Sequence, residues 1–336
     1  MRDRELEPLD PEVAVEQYLD SRRPSVTDST YRNSKNRLGH FLDFLEEEEI
    51  DDMNDLTGRT LYNFVAWRRG DIAPITLQKQ LSSLRVFLRW AADVEAVPEG
   101  LAEKVHSPEL PDGAEARTVV LEEERAEAIL EHLNRYEYAS RRHVCFSLLW
   151  RTGMRISSLH ALDLQDLRPD DCAVDLVNRP ETDTRLKNGN SGERWVYLGP
   201  RWYQVVEDYV DANRYDVTDD HGREPLVTTK QGRAHKLTVQ KWIYSTTRPC
   251  MMHDCPHDED PQTCEAMEGY QQASKCPSSR SPHTLRRGAI TSHLLDGVPP
   301  EVASERMDVS LEVLYRHYDA RSPGEKMNQR KKFLRQ

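Results

Sequence analysis

Four polar features of this 336-residue chain carry side chains able to do chemistry. Arg155 follows Gly153 in "RTGMRISSLHALDLQDL". Lys187 sits in "TRLKNGNSGERWVYL". His283 and Arg286 open "SPHTLRRGAITSHLL", and Tyr318 lies in "VSLEVLYRHYDAR". Guanidiniums stay protonated and grip oxyanions with a two-pronged fork. An ammonium or an imidazole moves protons, and a phenol can act as a nucleophile. Each residue also has an ordinary reading. An Arg after a helix break caps or is solvated, a Lys in a hairpin keeps the surface soluble, a His beside two Arg is surface, and a Tyr at a helix end is packing. Singly, the ordinary readings prevail; the order and spacing of the four carry more weight.

A second cluster has metal-ligand character. "PCMMHDCPHDEDPQTCEAMEGYQQASKCPSSRSPH" holds Cys250, Cys255, Cys264 and Cys276, with His253 and His257. Zinc takes four sulfur or nitrogen donors in a tetrahedron, and clustered Cys and His supply them. The four cysteines are the expected ligands of a structural zinc, with His257 as the substitute for Cys264 or Cys250. The spacing matches no standard finger, and a loop of free thiols is the alternative. Cys145 and Cys172 read as core and strand cysteines.

The elements that must position these residues are mainly helical. Apolar residues recur at helical spacing in "STYRNSKNRLGHFLDFLEE" (Tyr31, Leu38, Phe41, Leu42, Leu45) and "PITLQKQLSSLRVFLRWAADV" (Leu77, Leu81, Leu84, Leu88, Ala91). "DLTGRTLYNFVAWRRG" lies between them, with a capping candidate and a terminal glycine. A shorter helix over residues 11–20 precedes all three. These four helices make a small N-terminal domain, residues 1–108. The Pro-, Gly- and charge-rich stretch 106–117 reads as a linker to a larger domain, residues 109–336. There "LEEERAEAILEHL" and "RHVCFSLLWRTGM" read as helices. "CAVDLVN", "TDTRLK" and "RWVYLG" read as a small antiparallel sheet, with Gly189 and Gly192 in the loop between the last two strands. Helices resume after Pro200, and the start of the His283–Arg286 stretch is a helix N-terminus.

The bulk numbers restrict the class. The chain has 46 basic and 58 acidic residues, a net charge of −12, and only 11 Lys beside 35 Arg. A uniformly basic nucleic-acid coat is excluded, and the Lys-poor acidic composition resembles proteins of salt-loving organisms. In high salt, charges are screened within a few ångströms, so a DNA site would depend on close contacts rather than long-range steering. No apolar run approaches the ~20 residues of a membrane span, and the first residues have no apolar signal core. An intracellular, cytoplasmic protein with reduced cysteines is expected.

In this setting the chain resembles the tyrosine recombinases, the phage-integrase family. The family's first box, T-G-x-R-x-x-E-L, is matched by Thr152, Gly153, Arg155 and Leu159. Its second, H-x-L-R-H/R, is matched by His283, Leu285, Arg286 and Arg287. "TSHLLDGVPPEVASERM" is similar to the stretch that follows in the family. The nucleophilic tyrosine comes a fixed distance after a Gly-His pair. Met307 and Asp308 occupy that pair, and Tyr318 falls at the expected distance. The Cys-rich insertion at 250–276 resembles a haloarchaeal and archaeal-virus branch.

The resemblance implies a mainly α fold: a helical, SAM-like core-binding domain, then a mostly α catalytic domain with a small antiparallel sheet. It implies cleavage and rejoining of double-stranded DNA at a specific site through a 3′-phosphotyrosyl intermediate, by a homotetramer on two sites, with no cofactor for catalysis. Arg155 and Arg286 would hold the charge building on the phosphate, each worth about 3 kcal/mol in the transition state. Tyr318 would attack; a phenol, ordinarily near pKa ~10, needs nearby positive charge or a base, and His283 would supply it or hold the phosphate. Lys187 would protonate the leaving 5′ oxygen. Ser158 stands where the family has Glu, Arg287 where His is more frequent, and Asp308 where most members have His or Trp. Asp308 is given no catalytic role; capping the helix near Ser310 or hydrogen-bonding an arginine is its expected use. A DNA-binding regulator without catalysis and a type IB-like topoisomerase are the alternatives. The tail, with Met327, Phe333 and Leu334, would pack on a neighbouring protomer, or within its own chain. "RNSKNR", "AWRRG" and "KQLSSLR" are candidate DNA contacts or simply solvated helix faces.

Overall fold

The computed structural model describes residues 6–109, 119–269, 271–331 and 334. The chain divides into two compact units, Met1–Glu115 and Ala116–Gln336. Most of the expected linker, residues 110–117, lies outside the described residues.

In the first unit the helices follow the apolar spacing. They are α1 (Pro11–Arg22), α2 (Asp28–Glu47), α3 (Gly58–Arg68) and α4 (Pro74–Asp93). Local chemistry sets each start. The Asp10 and Thr27 side chains accept from the amides of Val13 and Thr30, and Thr57 and Thr60 cap each other's backbone. Pro11 and Pro74 stand in first turns, where no amide partner is lost. The buried stripes meet in an aromatic core: Phe41 lies edge-on to Phe64 at 5.1 Å, and Tyr18 to Phe87 at 5.4 Å. Several arginines of the basic runs brace this unit rather than standing free. Arg37 bonds Ser83, Arg68 bonds Gln80, and Arg85 donates to the Val105 carbonyl.

The second unit is built around α6 (Arg141–Thr152), which follows α5 (Glu123–Tyr136) and is buried along almost its whole length. Ser140 caps its start, and Gly153, at φ +60, ends it in the left-handed conformation that favours glycine. The chain then enters the short α7 (Ile156–Ala161) and a three-stranded antiparallel sheet of β1 (Leu167–Arg168), β2 (Ala173–Leu176) and β3 (Arg194–Tyr197), in that order, with Val174 opposite Val196. β2 and β3 match the expected "CAVDLVN" and "RWVYLG". "TDTRLK" is not a strand: Pro180 removes a donor, and Asp183 turns left-handed at φ +56. Side chains hold that segment instead. Leu186 N donates to Asn178 at 2.9 Å, and Arg223 donates to Thr184 at 3.0 Å.

Helix α8 (Pro200–Ala212), the β4 (Thr228–Thr229) and β5 (Gly232–Arg233) hairpin, and α9 (Lys236–Thr246) follow. Buried Asp163 accepts from Arg233 at 2.5 Å and pairs with Arg223 at 3.2 Å; Arg179 grips Asp166 through two nitrogens. After the Cys-rich segment come α10 (Pro282–Leu295), α11 (Pro300–Met307), α12 (Leu311–Val313), a π-helical turn Leu314–Tyr318, and α13 (Pro323–Lys331). α10 presses against α6 at Gly288, where a Cβ would stand 2.1 Å from the Leu121 carbonyl oxygen and 2.8 Å from the Trp150 ring. No helix among the described residues is long and apolar enough to cross a membrane.

Candidate active site

Three chain breaks build the site. Arg155 occupies the N-cap position of α7, two residues after the Gly153 break. His283 and Arg286 lie in the first turns of α10, whose start is fixed by the Ser281 side chain accepting from Thr284 N. Tyr318 closes the π-helical turn, in which Asp319 N reaches back to Leu314 O at 2.8 Å. Such turns recur at functional sites because they re-aim a side chain. The Tyr318 carbonyl is held by the Thr291 hydroxyl of α10 at 2.9 Å.

These side chains converge. The His283 ring lies edge-on to the Tyr318 ring at 5.5 Å, and the Arg286 guanidinium stands 5.3 Å from its centre. Arg286 is fully buried. Its Nη1 donates to the Gly153 carbonyl at 2.7 Å, its Nη2 to the Asp308 carbonyl at 3.4 Å, and its Nε is buried with no hydrogen-bond partner. Burial, and then the like charge of Arg155, push Arg286 down to about 10, while the Tyr318 oxygen works the other way. It remains protonated at neutral pH. The arrangement can hold an anion between arginines beside a phenol, next to a helix N-terminus whose amides favour negative charge.

Lys187 is exposed, on the loop before β3, and is not in that gathering. Its neighbour Asn188 is tied to it: Asn188 Nδ2 donates to Asp308 Oδ1 at 2.7 Å, while Asp308 Oδ2 pairs with Arg155 Nη1 at 2.5 Å. Asp308 therefore binds an arginine, and the helix cap is Ser310, whose hydroxyl accepts from Val313 N.

Family models match both units. The model described as "Phage integrase, N-terminal SAM-like domain" covers residues 16–94, and that described as "Phage integrase family" covers residues 119–321, more than half of the chain. The chain belongs to the phage integrase family. Among curated relatives, tyrosine recombinase XerD of Oceanobacillus iheyensis is 21% identical over 317 residues, 91% of this chain and 94% of the relative. Among solved structures, the Tn1549 transposon integrase in complex with a circular intermediate DNA aligns with TM-score 0.66 at 13% identity, over 97% of this chain and 100% of that one. A lambda integrase dimer bound to a COC′ core site aligns with TM-score 0.66 at 11% identity, over 94% of this chain and 79% of that one. The integrase fold, a SAM-like helical domain with a mainly helical second domain carrying small sheets, is the one expected from the sequence.

The candidate site has beside it one arginine that sequence reading missed. Arg194, in β3, donates Nε to the Arg306 carbonyl at 2.7 Å and Nη1 to the Gly192 carbonyl at 2.6 Å. Burial lowers it to about 10, Asp308 opposes this, and Arg155 adds to it, which sets all three within electrostatic reach. Its only signal in the sequence was an arginine opening a β-prone stretch after the Lys187 loop.

The expected zinc site is not assembled. Among the described residues, no three Cys, His, Asp or Glu side chains form a metal-holding group. The four cysteines are unpaired thiols on separate short turns. Cys250 Sγ faces Met267 Sδ at 3.6 Å, and His257 Nε2 lies 3.0 Å from Ser278 Oγ. Burial raises the Cys250 thiol, Arg248 opposes it, and nearby Cys276 and Cys255 raise it further. The sulfurs are neighbours, yet they do not converge as the tetrahedral donors zinc requires. The root of the insertion is closed another way. Arg125 donates to the carbonyls of Thr247 and Ser278, and Arg280 N donates to Thr247 Oγ1 at 2.8 Å. The tail folds onto its own chain, Gln329 Nε2 donating to Leu295 O at 3.0 Å; Met327 and Leu334 are exposed, and Phe333 lies outside the described residues.

Proposed function

We propose that this integrase is a site-specific DNA recombinase that cleaves and rejoins strands through a 3′-phosphotyrosyl link at Tyr318. The observation that carries the reading is the gathering of Tyr318, His283 and Arg286 at the start of α10, beside Arg155. The Tyr318 oxygen attacks the scissile phosphorus, and the bond from phosphorus to the 5′ oxygen breaks. The phenol proton passes to His283 or to water, and Lys187 gives a proton to the departing 5′ oxygen. Arg155 and Arg286 hold the charge on the non-bridging oxygens. The ester preserves the bond energy, so a 5′ hydroxyl from a second strand reverses the step without nucleotide or metal chemistry. That is strand exchange rather than hydrolysis.

Duplex DNA at a specific site is the partner, bound by the helical first unit and by the second unit. A homotetramer on two sites is the assembly, supported by the lambda integrase relative being a dimer on its core site. The Lys-poor, acidic composition supports a salt-loving host, and action on DNA supports a cytoplasmic location.

The test is a nicked suicide duplex carrying a site selected from a random-sequence pool by binding. A covalent protein–DNA adduct that Tyr318→Phe abolishes is expected. Binding without any adduct would mark a regulator, and relaxation of plasmids that lack the site would mark a topoisomerase; either result sinks the proposal.

A further inference from the structure

We propose that Asp308 is a positioning residue, whose carboxylate docks the Lys187 loop onto the phosphate-binding arginines through Asn188 and Arg155. The inference rests on the reaction proposed above and adds a residue to it. One carboxylate oxygen pairs with Arg155 at 2.5 Å, and the other accepts from Asn188, the residue after Lys187, at 2.7 Å. The far side of the same loop runs close by: a Cβ added at Gly192 would stand 3.3 Å from Asp308 Oδ2. Arg194 completes the clasp, bonding the Gly192 carbonyl and the Arg306 carbonyl at the end of α11. The loop is thus fastened at its beginning and at its end to one helix terminus.

The backbone supports the same role. Asp308 sits at φ +52, the left-handed region, where glycine or asparagine is the comfortable helix terminator. A short polar side chain such as Asp is tolerated there, so Asp308 can end α11 while its carboxylate reaches Arg155 and Asn188. The pair is largely shielded from water, with side-chain exposures of 17% for Arg155 and 12% for Asp308, so it is held more firmly than a surface ion pair. One carboxylate among Arg155, Arg194 and Arg286 leaves net positive charge for a phosphate. A general acid works only when held within hydrogen-bonding reach of the leaving oxygen. A lysine on a loop containing Gly189 and Gly192 needs a restraint, and the Asn188–Asp308 bond is one.

Asp308→Gly removes the carboxylate and suits the left-handed backbone; Asn188→Ala removes the other partner and leaves the Arg155–Asp308 pair intact. In the free full-length protein, amide hydrogen exchange over residues 186–194 should quicken in both variants, with α10 unchanged. Cleavage is then compared on a suicide duplex with the ordinary phosphodiester and on one with sulfur replacing the bridging 5′ oxygen. On sulfur, the phosphorus–sulfur bond breaks and the electron pair leaves as a thiolate, needing no proton. Lys187→Met should cleave the ordinary bond at least about 10²-fold more slowly, within the ~10²–10⁴ a general acid supplies, both variants about 10- to 100-fold more slowly because the lysine is displaced rather than lost, and all three should return to within about threefold of wild type on sulfur. Unchanged exchange, faster cleavage of the ordinary bond, or a slowdown that sulfur does not relieve would overturn the clasp. Relief for Lys187→Met but not for Asp308→Gly overturns the clasp alone. No relief for Lys187→Met overturns the proposed acid, and the clasp with it.

Discussion

At the scale of single residues, the site is an arginine arrangement around a carboxylate and a phenol. Arg286 is anchored by two backbone carbonyls and keeps Nε unpartnered, a donor in a place where water cannot satisfy it. Lysine cannot reproduce a planar fork. Arg286→Lys is therefore expected to slow adduct formation about 10²- to 10³-fold, the loss typical of one oxyanion donor. Single-turnover cleavage on the suicide duplex measures it, and a change under threefold would remove Arg286 from the phosphate. Arg155, His283, Arg286 and Tyr318 were all legible as candidates, because boxes of fixed local spacing mark them. The partner of Asp308 was legible only as a choice between a helix cap and an arginine. Residues 155 and 308 are far apart in the chain, and Ser310 already satisfies the cap.

At the scale of elements, close approach and side-chain bracing decide where the site residues stand. Gly288 lets α10 lie against Trp150 and the Leu121 carbonyl. Gly288→Ala is expected to lower stability by about 2–3 kcal/mol, the cost of forcing atoms into a packed interface; denaturant unfolding measures it, and an unchanged midpoint would refute the contact. Ahead of the Lys187 loop, the buried Asp163 and Asp166 and the half-buried Asp219, with Arg179, Arg223 and Arg233, take the place of the third strand expected from "TDTRLK". A short β-prone stretch bounded by turn residues suggested pairing there, but Pro180 and left-handed Asp183 break the ladder, and long-range ion pairs carry the segment instead. Burial alone would raise the Asp219 carboxyl, but bonds from Arg233 and from the Arg223 and His221 amides outweigh it, bringing it to about 2. A lowered carboxyl stabilises the fold above its ordinary titration range, and that contribution is lost as pH falls through about 2. Thermal unfolding between pH 5 and pH 2 should therefore show a falling midpoint, with a shallower fall in Asp219→Asn.

At the scale of the whole molecule, net charge and salt set the working conditions. A charge of −12 repels itself in dilute buffer, and molar salt shortens the screening length to ~3 Å. The unfolding midpoint is expected to rise between about 0.1 M and 1 M potassium chloride; a flat or falling midpoint would count against the salt-loving reading. Helical periodicity and capping residues determined a mainly helical chain, because those signals act within a few residues of one another, and the boxes around Arg155 and His283 carried the resemblance to the integrase family. The resemblance also singled out Tyr318, Arg155, Arg286 and His283 as candidates, because each box has a fixed spacing within itself. Only the tertiary structure decided that, among the described residues, no three Cys, His, Asp or Glu side chains gather as a metal-holding group, that Arg194 stands near Arg155, and that Asp308 ties Arg155 to the Lys187 loop. Each of those depends on which distant segments pack together, and local periodicity carries no information about that.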